Sequence, residues 1–166
     1  MFPLKDDNPT QTKPIVTIAL IAICVCIFLY QLSLIDSQNT FIFNSFGMKP
    51  KELLLNPSLN NYSTIFSSMF LHGGFMHLIG NMLFLWIYGN NIEDAMGHIK
   101  FLLFYFVCGL AAALSQALVT PNSDIPMIGA SGAVSGVLSA YLLLYPKARV
   151  STLIFIFFFI TVIRIP

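Results

Sequence analysis

Two apolar stretches of this 166-residue chain carry residue types that can perform acyl transfer. In MIGASGAVSGVLSAYLLLYP, Ser131 stands between Gly129-Ala130 and Gly132. A serine hydroxyl becomes a nucleophile when a base accepts its proton, and the reaction is speeded when donors stabilise the resulting oxyanion. In HGGFMHLIGNMLFLWIYGN, the polar residues are His72, His77 and Asn81. His77 and Asn81 are four apart, about 40° around a helix, so their side chains leave one face at neighbouring levels. His72 precedes the Gly73-Gly74 pair, which disfavours continuous helix, and belongs at a loop junction.

Each feature also has a plainer reading. A His and an Asn on one membrane helix can serve as hydrogen-bonding glue between helices. Gly132, Gly136 and Ala140, like Ser131, Ser135 and Ser139, recur at intervals of four, and such a face lets a neighbouring backbone approach closely. A metal site built from His72, His77 and His98 is disfavoured because His98 falls beyond the far end of its span, and no cofactor or metal is expected. Cys24, Cys26 and Cys108 all lie in apolar runs and read as buried thiols rather than a disulfide framework.

The elements that must position these groups are membrane helices. Hydrophobic residues make up 57% of the chain and charged residues only 9%, with 16 phenylalanines, too apolar for a soluble fold of this length. A net charge of +1 provides neither a basic surface for nucleic acid nor an acidic block for a cationic partner. A spanning helix needs about 20 mostly apolar residues. Such runs occur at about 15–35, 75–92, 99–119, 128–145 and 150–165, so the expected fold is an all-α polytopic bundle of five spans. Pro14 suits a helix start, Pro121 and Pro126 bracket a loop, and Pro146 ends the fourth span. The first apolar run is longer than a signal-peptide core and lacks a small-residue cleavage site, which marks it as a retained span after a short segment 1–14.

With five crossings, Lys5, Lys13, Lys100, Lys147 and Arg149 share the side of the N-terminus, while Lys49, Lys51 and Arg164 face the other. That bias puts the N-terminus inside, hence facing the cytoplasm across the plasma membrane if the source is bacterial. Residues 36–70 mix polar groups with Phe41, Phe43, Phe46, Leu53 and Leu54, which fits either a segment in the interface plane or an irregular outer loop. The second and fourth spans run in the same direction, so His77, Asn81 and Ser131 should lie at a common depth, roughly 5 to 12 Å below the outer surface. Backbone N–H groups at the start of the Ser131 helix, with Asn81 and His77, then make a plausible oxyanion hole.

Taken together, these motifs resemble the rhomboid family of intramembrane serine proteases. FLHGGFMHLIGNMLFLWIYGNNIED carries the family's H-x-x-x-x-H-x-x-x-N pattern as His72, His77 and Asn81, followed by the stretch from Gly89 to Asp94 and Gly97, and GASG supplies G-x-S-G. The resemblance implies Ser131 as nucleophile, His77 and Asn81 as oxyanion stabilisers, His72 as a structural or water-handling residue, and Gly129 and Gly132 as positions permitting close packing around the serine. It implies hydrolysis of peptide bonds in or near the transmembrane segments of membrane-protein substrates within the lipid bilayer, and a first outer loop, 36–70, lying partly in the membrane. The family core has six spans with its general-base histidine on the sixth. Here all three histidines precede Ser131, so none occupies the base position. The expectation is a truncated, nearly inactive form of such a protease. The alternatives are a non-catalytic relative that binds transmembrane clients, or an unrelated membrane scaffold or transport component. Nothing in the sequence sets substrate identity or an oligomeric state.

Overall fold

The structure is a computed structural model that describes residues 2–156 and 159–165. After a short strand β1 (Phe2–Asp6), helix α1 (Ile15–Leu32) starts directly behind Pro14, whose fixed φ suits the entry to a helix. Three short helices follow: α2 (Asp36–Phe46), α3 (Pro50–Leu55) and α4 (Leu59–Ser67), the last continued by one 3-10 turn, Ser68–Phe70. Then come α5 (Phe75–Met96), α6 (His98–Val119) and α7 (Ser131–Leu144). The molecule is thus an integral membrane protein of helical-bundle type. Helices α1 and α6 are each long and apolar enough to cross a bilayer, with mean hydropathy of 2.7 and 2.0 over their best windows. Helices α4 and α5 meet that test as a pair bent by 82°. In the segment expected to be interfacial or irregular, Ser58 caps α4 by accepting a hydrogen bond from the Asn61 N–H at 3.1 Å.

Helix α5 runs down the middle of the bundle, touching α1, α6 and α7. Leu85, Ile92, Phe101, Tyr105, Val137 and Tyr141 form the fully enclosed part of the core. Lipid tails are as apolar as these side chains, so helix association here rests on close packing and hydrogen bonds rather than escape from water. Glycines supply the closeness. A Cβ on Gly132 would collide with Ala112, and one on Gly136 with Cys108, so the small-residue face of α7 is spent on α6. Gly109 of α6 admits the Met69 side chain in the same way. Of the three cysteines, Cys24 is buried, Cys108 is half-buried and Cys26 faces outward, so the expectation of uniformly buried thiols fails at Cys26.

At the end of the bundle near the N-terminus, polar side chains tie the helices together. The buried Glu93 carboxylate accepts both the Val16 and Thr17 N–H groups at 2.8 Å each, closing the N-terminus of α1 against the last turns of α5. An anion at that position is favoured by the orphan donors and positive dipole end of a helix. Asp94 accepts the Gln11 and Thr12 N–H groups, and Asn91 and Tyr141 both donate to Asp6. The break between α5 and α6 falls at Gly97, whose φ of +78° favours glycine.

The expected fifth span, 150–165, takes a different form. Strands β2 (Val150–Ile156) and β3 (Phe159–Ile165) pair antiparallel, and β2 also pairs antiparallel with β1, giving a three-stranded sheet of order β1-β2-β3. The residues concerned are β-branched and aromatic almost throughout, a composition that favours the pleated backbone over the helix. Hydropathy alone, which reads only apolar content, does not separate the two. A sheet with open edges is incompatible with the hydrocarbon layer, so in this arrangement the described residues of 150–165 do not form a fifth helical span, residues 157–158 lying outside those described. The start of the fourth span also moves, from 128 to Ser131, because Met127 bridges to Met48 in an extended pair.

Candidate active site

Helices α5 and α7 begin at the same end of the bundle, and their first turns wall a groove of about 300 Å³. His77, Asn81 and Ser131 all line it, together with Met76, Phe84 and Leu138. His77 and Asn81 present one face of α5, and Ser131, the first residue of α7, stands across from them in the same groove. Ser131 and His77 are exposed on the groove, while Asn81 is buried at 7%.

Gly129 makes this approach possible. Its φ of +112° lies where L side chains rarely go, and an added Cβ would stand 2.5 Å from His77 Nε2 and 3.6 Å from Asn81 Nδ2. Its N–H donates to the Ser68 carbonyl at 2.8 Å, which anchors the turn before α7 to the end of α4. Glycine is thus needed at 129 for both conformation and space. Gly132, paired with it in the sequence reading, acts elsewhere, by seating α7 against Ala112 of α6.

Donors converge on the groove. The first intrahelical bond of α7 runs from the Val134 N–H to the Ala130 carbonyl, which leaves the N–H groups of Ser131, Gly132 and Ala133 without helical acceptors. Asn81 Nδ2 is buried and has no partner among the described residues. An unpaired buried amide donor costs about 1–3 kcal/mol; Thr17 Oγ1, Asn39 Oδ1, His72 Nε2 and Tyr105 OH are likewise buried without a partner among the described residues. No side-chain hydrogen bond to Ser131 Oγ is present among the described residues, although His77 shares the groove with it.

His72 lies beside the groove rather than in it. Its ring meets that of His77 edge-on with centroids 5.2 Å apart, and its Nδ1 lies 3.3 Å from the Phe70 carbonyl. Its backbone exchanges two hydrogen bonds with the buried Gln31 side chain of α1: Gln31 Nε2 donates to the His72 carbonyl at 3.1 Å, and the His72 N–H donates to Gln31 Oε1 at 3.2 Å. Gln31 thereby fixes the loop that carries His72 into α5. The sequence reading missed it, although a lone glutamine near the end of an apolar run is itself a signal, since a polar group in lipid must find a partner. His98, the third histidine, sits at the far end of α5 with its Nδ1 2.5 Å from Glu93 Oε1, apart from His72 and His77.

The sequence also has counterparts among known proteins. A family model described as Rhomboid domain matches residues 59–165. Rhomboid protease GluP of Bacillus subtilis is 32% identical over 130 residues, covering 78% of this chain and 24% of that protein. Rhomboid protease AarA of Providencia stuartii is 31% identical over 140 residues, covering 75% of this chain and 48% of that protein. Rhomboid protein 1, mitochondrial, of Saccharomyces cerevisiae is 32% identical over 109 residues, covering 63% and 31%. The chain spans between about a quarter and a half of the length of these curated relatives.

Proposed function

Because this chain belongs to the rhomboid family, we propose that Ser131 is the nucleophile of an intramembrane serine endopeptidase that hydrolyses peptide bonds in or near the transmembrane segments of other membrane proteins. The observation that carries this reading is the shared groove, in which an exposed Ser131 faces His77 and the unpartnered Nδ2 of Asn81. In the reaction, Ser131 Oγ attacks the scissile carbonyl carbon as a base removes its proton. The carbonyl oxygen gains the charge and is met by Asn81 Nδ2, by His77 and by the free N–H groups at the start of α7. Collapse expels the amine, which takes that proton from the base, and water then adds to the acyl carbon and releases the acid, returning a proton to Ser131 Oγ. Each oxyanion donor is worth about 10²- to 10³-fold in rate.

The proton acceptor is the part that the described residues do not supply. His77 lines the oxyanion side of the groove and cannot readily donate there and accept opposite. Efficient cleavage therefore calls for a base brought against the exposed face of α7 that bears Ser131 and Ser135. Without one, loss of rate is about 10⁴- to 10⁶-fold. That same observation favours a second reading, in which the protein holds transmembrane clients in the groove without cutting them.

With β2 paired to β1 and β3 to β2, Arg164 lies 3.9 Å from Asp7 on the N-terminal side rather than on the opposite one, and the resulting charge bias between the two sides supports an N-terminus facing the cytoplasm. The test of the protease reading is cleavage of a membrane-anchored reporter by the protein expressed from its whole coding sequence, compared with Ser131→Ala. Loss of cleavage with unchanged helicity supports the assignment. Undiminished cleavage by Ser131→Ala defeats it, and reporter capture without cleavage by either form favours the client-binding reading.

A further inference from the structure

Away from the groove, the loop helices α2, α3 and α4 enclose a polar cleft of about 340 Å³, lined by Asn44, Lys49, Glu52 and Asn61 among others. Lys49 is the residue before α3 and Glu52 lies in its first turn, so a cation and an anion stand three positions apart on one rim. Their neighbour Lys51 is already engaged with Asp124 at 2.8 Å, but Lys49 forms no ion pair among the described residues. Glu52 commits one carboxylate oxygen, Oε2, to the Asn56 amide at 2.9 Å and leaves the other without a partner among the described residues. Asn44 likewise uses its amide nitrogen on the Thr40 carbonyl and leaves its oxygen available.

Phe46 forms part of the wall of this cleft, and it also walls an apolar groove of about 280 Å³ between α1, α2 and the 3-10 turn, lined by Ile27, Tyr30, Ile42, Phe70 and Leu71. A second apolar hollow of about 520 Å³ shares Tyr30, Ile42 and Phe46 and extends to Leu34 and Phe41. Helix α2 has no buried residue at all, and its Phe41 and Phe46 are exposed. The Phe46 backbone is held in place by Ser67, whose hydroxyl donates to the Phe46 carbonyl at 2.7 Å. A cation and an anion thus adjoin an apolar channel at one aromatic side chain.

We propose that this composite site binds one phospholipid with a zwitterionic, primary-ammonium headgroup, of the phosphatidylethanolamine type. Lys49 takes the phosphate, Glu52 and the Asn44 oxygen take the ammonium hydrogens, and an acyl chain fills the groove beside Phe46. The occupant follows from charge complementarity. An anionic headgroup would set its charge against the Glu52 carboxylate. A trimethylated ammonium has no N–H to donate to Glu52 or Asn44. The apolar groove belongs to a chain immersed in bilayer, where the available apolar ligand is a lipid tail. The proposal needs only the membrane setting and is independent of whether Ser131 is a nucleophile.

The experiment is native mass spectrometry of the full chain released from nanodiscs containing equal parts of dioleoyl phosphatidylethanolamine, phosphatidylcholine and phosphatidylglycerol. The ethanolamine lipid should exceed the choline lipid among the bound adducts by roughly two- to fivefold, the weight of one exposed charge pair. Glu52→Gln, which keeps an acceptor for Asn56, should erase that preference. Lys49→Gln should lower retention of both phospholipids, with Lys49→Arg restoring it. Equal adducts for the three lipids in the unsubstituted chain, enrichment of phosphatidylglycerol, or a preference that survives both Glu52→Gln and Lys49→Gln overturns the proposal. The comparison between ethanolamine and choline lipids uses the unsubstituted chain, so it decides the matter even if a substituted form fails to fold.

Discussion

Replacing Gly129 with alanine separates two costs that the structure assigns to one position. At φ +112° an alanine pays a backbone penalty of about 1–3 kcal/mol, whatever its surroundings. The new methyl also meets His77 Nε2 at 2.5 Å and Cε1 at 2.6 Å, against a comfortable carbon contact of about 3.5 Å, so the imidazole must retreat by about 1 Å. Because His77 lies on the open groove, it can move, and this steric part belongs at the low end of overpacking costs, about 1 kcal/mol. The expected total is about 2–4 kcal/mol. Denaturant titration in mixed micelles, followed by helical circular dichroism, measures it. In the double variant with His77→Ala the steric part vanishes and the backbone part stays, giving a coupling of about 1 kcal/mol between the two sites. Gly80→Ala is the control, since its added Cβ meets nothing within 4 Å and the helix should gain up to about 1 kcal/mol. A Gly129→Ala variant within about 0.5 kcal/mol of the parent, or strict additivity with His77→Ala, refutes the reasoning.

Asn81→Ala should slow reporter cleavage by about 10²- to 10³-fold in the protein expressed from its whole coding sequence, with stability unchanged or slightly raised because an unpaired buried donor is removed. Glu93→Gln replaces one of the two acceptors that close α1 with a donor, and should cost about 1–3 kcal/mol in the same micelle titration. Gly136→Val forces a side chain into Cys108 and should separate α7 from α6 at a cost of about 1–3 kcal/mol, whereas Gly74→Ala, with open space around it, should not. Single cysteines introduced at Lys13 and Lys147 in a cysteine-free background should be labelled by an impermeant reagent from the same side of the membrane, and one at Lys49 from the opposite side. Labelling of all three from one side contradicts the orientation.

Much of the bundle is legible in the sequence because lipid imposes a blunt rule: a span must be apolar for about 20 residues and satisfy its own backbone. Helices α1 and α6 obey it outright, α5 does so together with α4, and α7 is a shorter apolar helix of 14 residues; His77, Asn81 and Ser131 stand out as polar exceptions whose spacing already points to one depth. Residues 150–165 are where the rule fails, since their apolar content is equally compatible with a paired strand. The partner of the small-residue face was also hidden. Gly132 and Gly136 mark a close approach, but with apolar surroundings on every side nothing in the pattern says that α6, rather than α5, is the neighbour. Gln31 and Ser68 act through pairings across 41 and 61 positions of chain, Gln31 with His72 and Ser68 with Gly129, and no local signal encodes such distances.

The two ends of the bundle put most of their polar groups to different use, and that difference supports the proposed site, although Thr17 Oγ1 at the Glu93 end is also buried without a partner among the described residues. At the end bearing Glu93, a buried carboxylate receives two N–H groups from α1 and an imidazole from His98, and Asp94 and Asn91 are likewise partnered by the N-terminal segment. Such a network rigidifies the helices it joins. At the other end, Asn81 Nδ2 and His72 Nε2 are buried without partners among the described residues, and the first N–H groups of α7, beside Ser131, have no helical acceptor. Gln31 and Ser68 hold that end open by binding backbone, not by satisfying these donors. A fold that served packing alone would gain by pairing or replacing them. Asn81→Leu tests this directly. If the donors persist for catalysis, the substitution should leave stability equal or higher while cleavage falls at least as far as in Asn81→Ala. A clear loss of stability would instead make Asn81 a strut between α5 and the turn at Gly129.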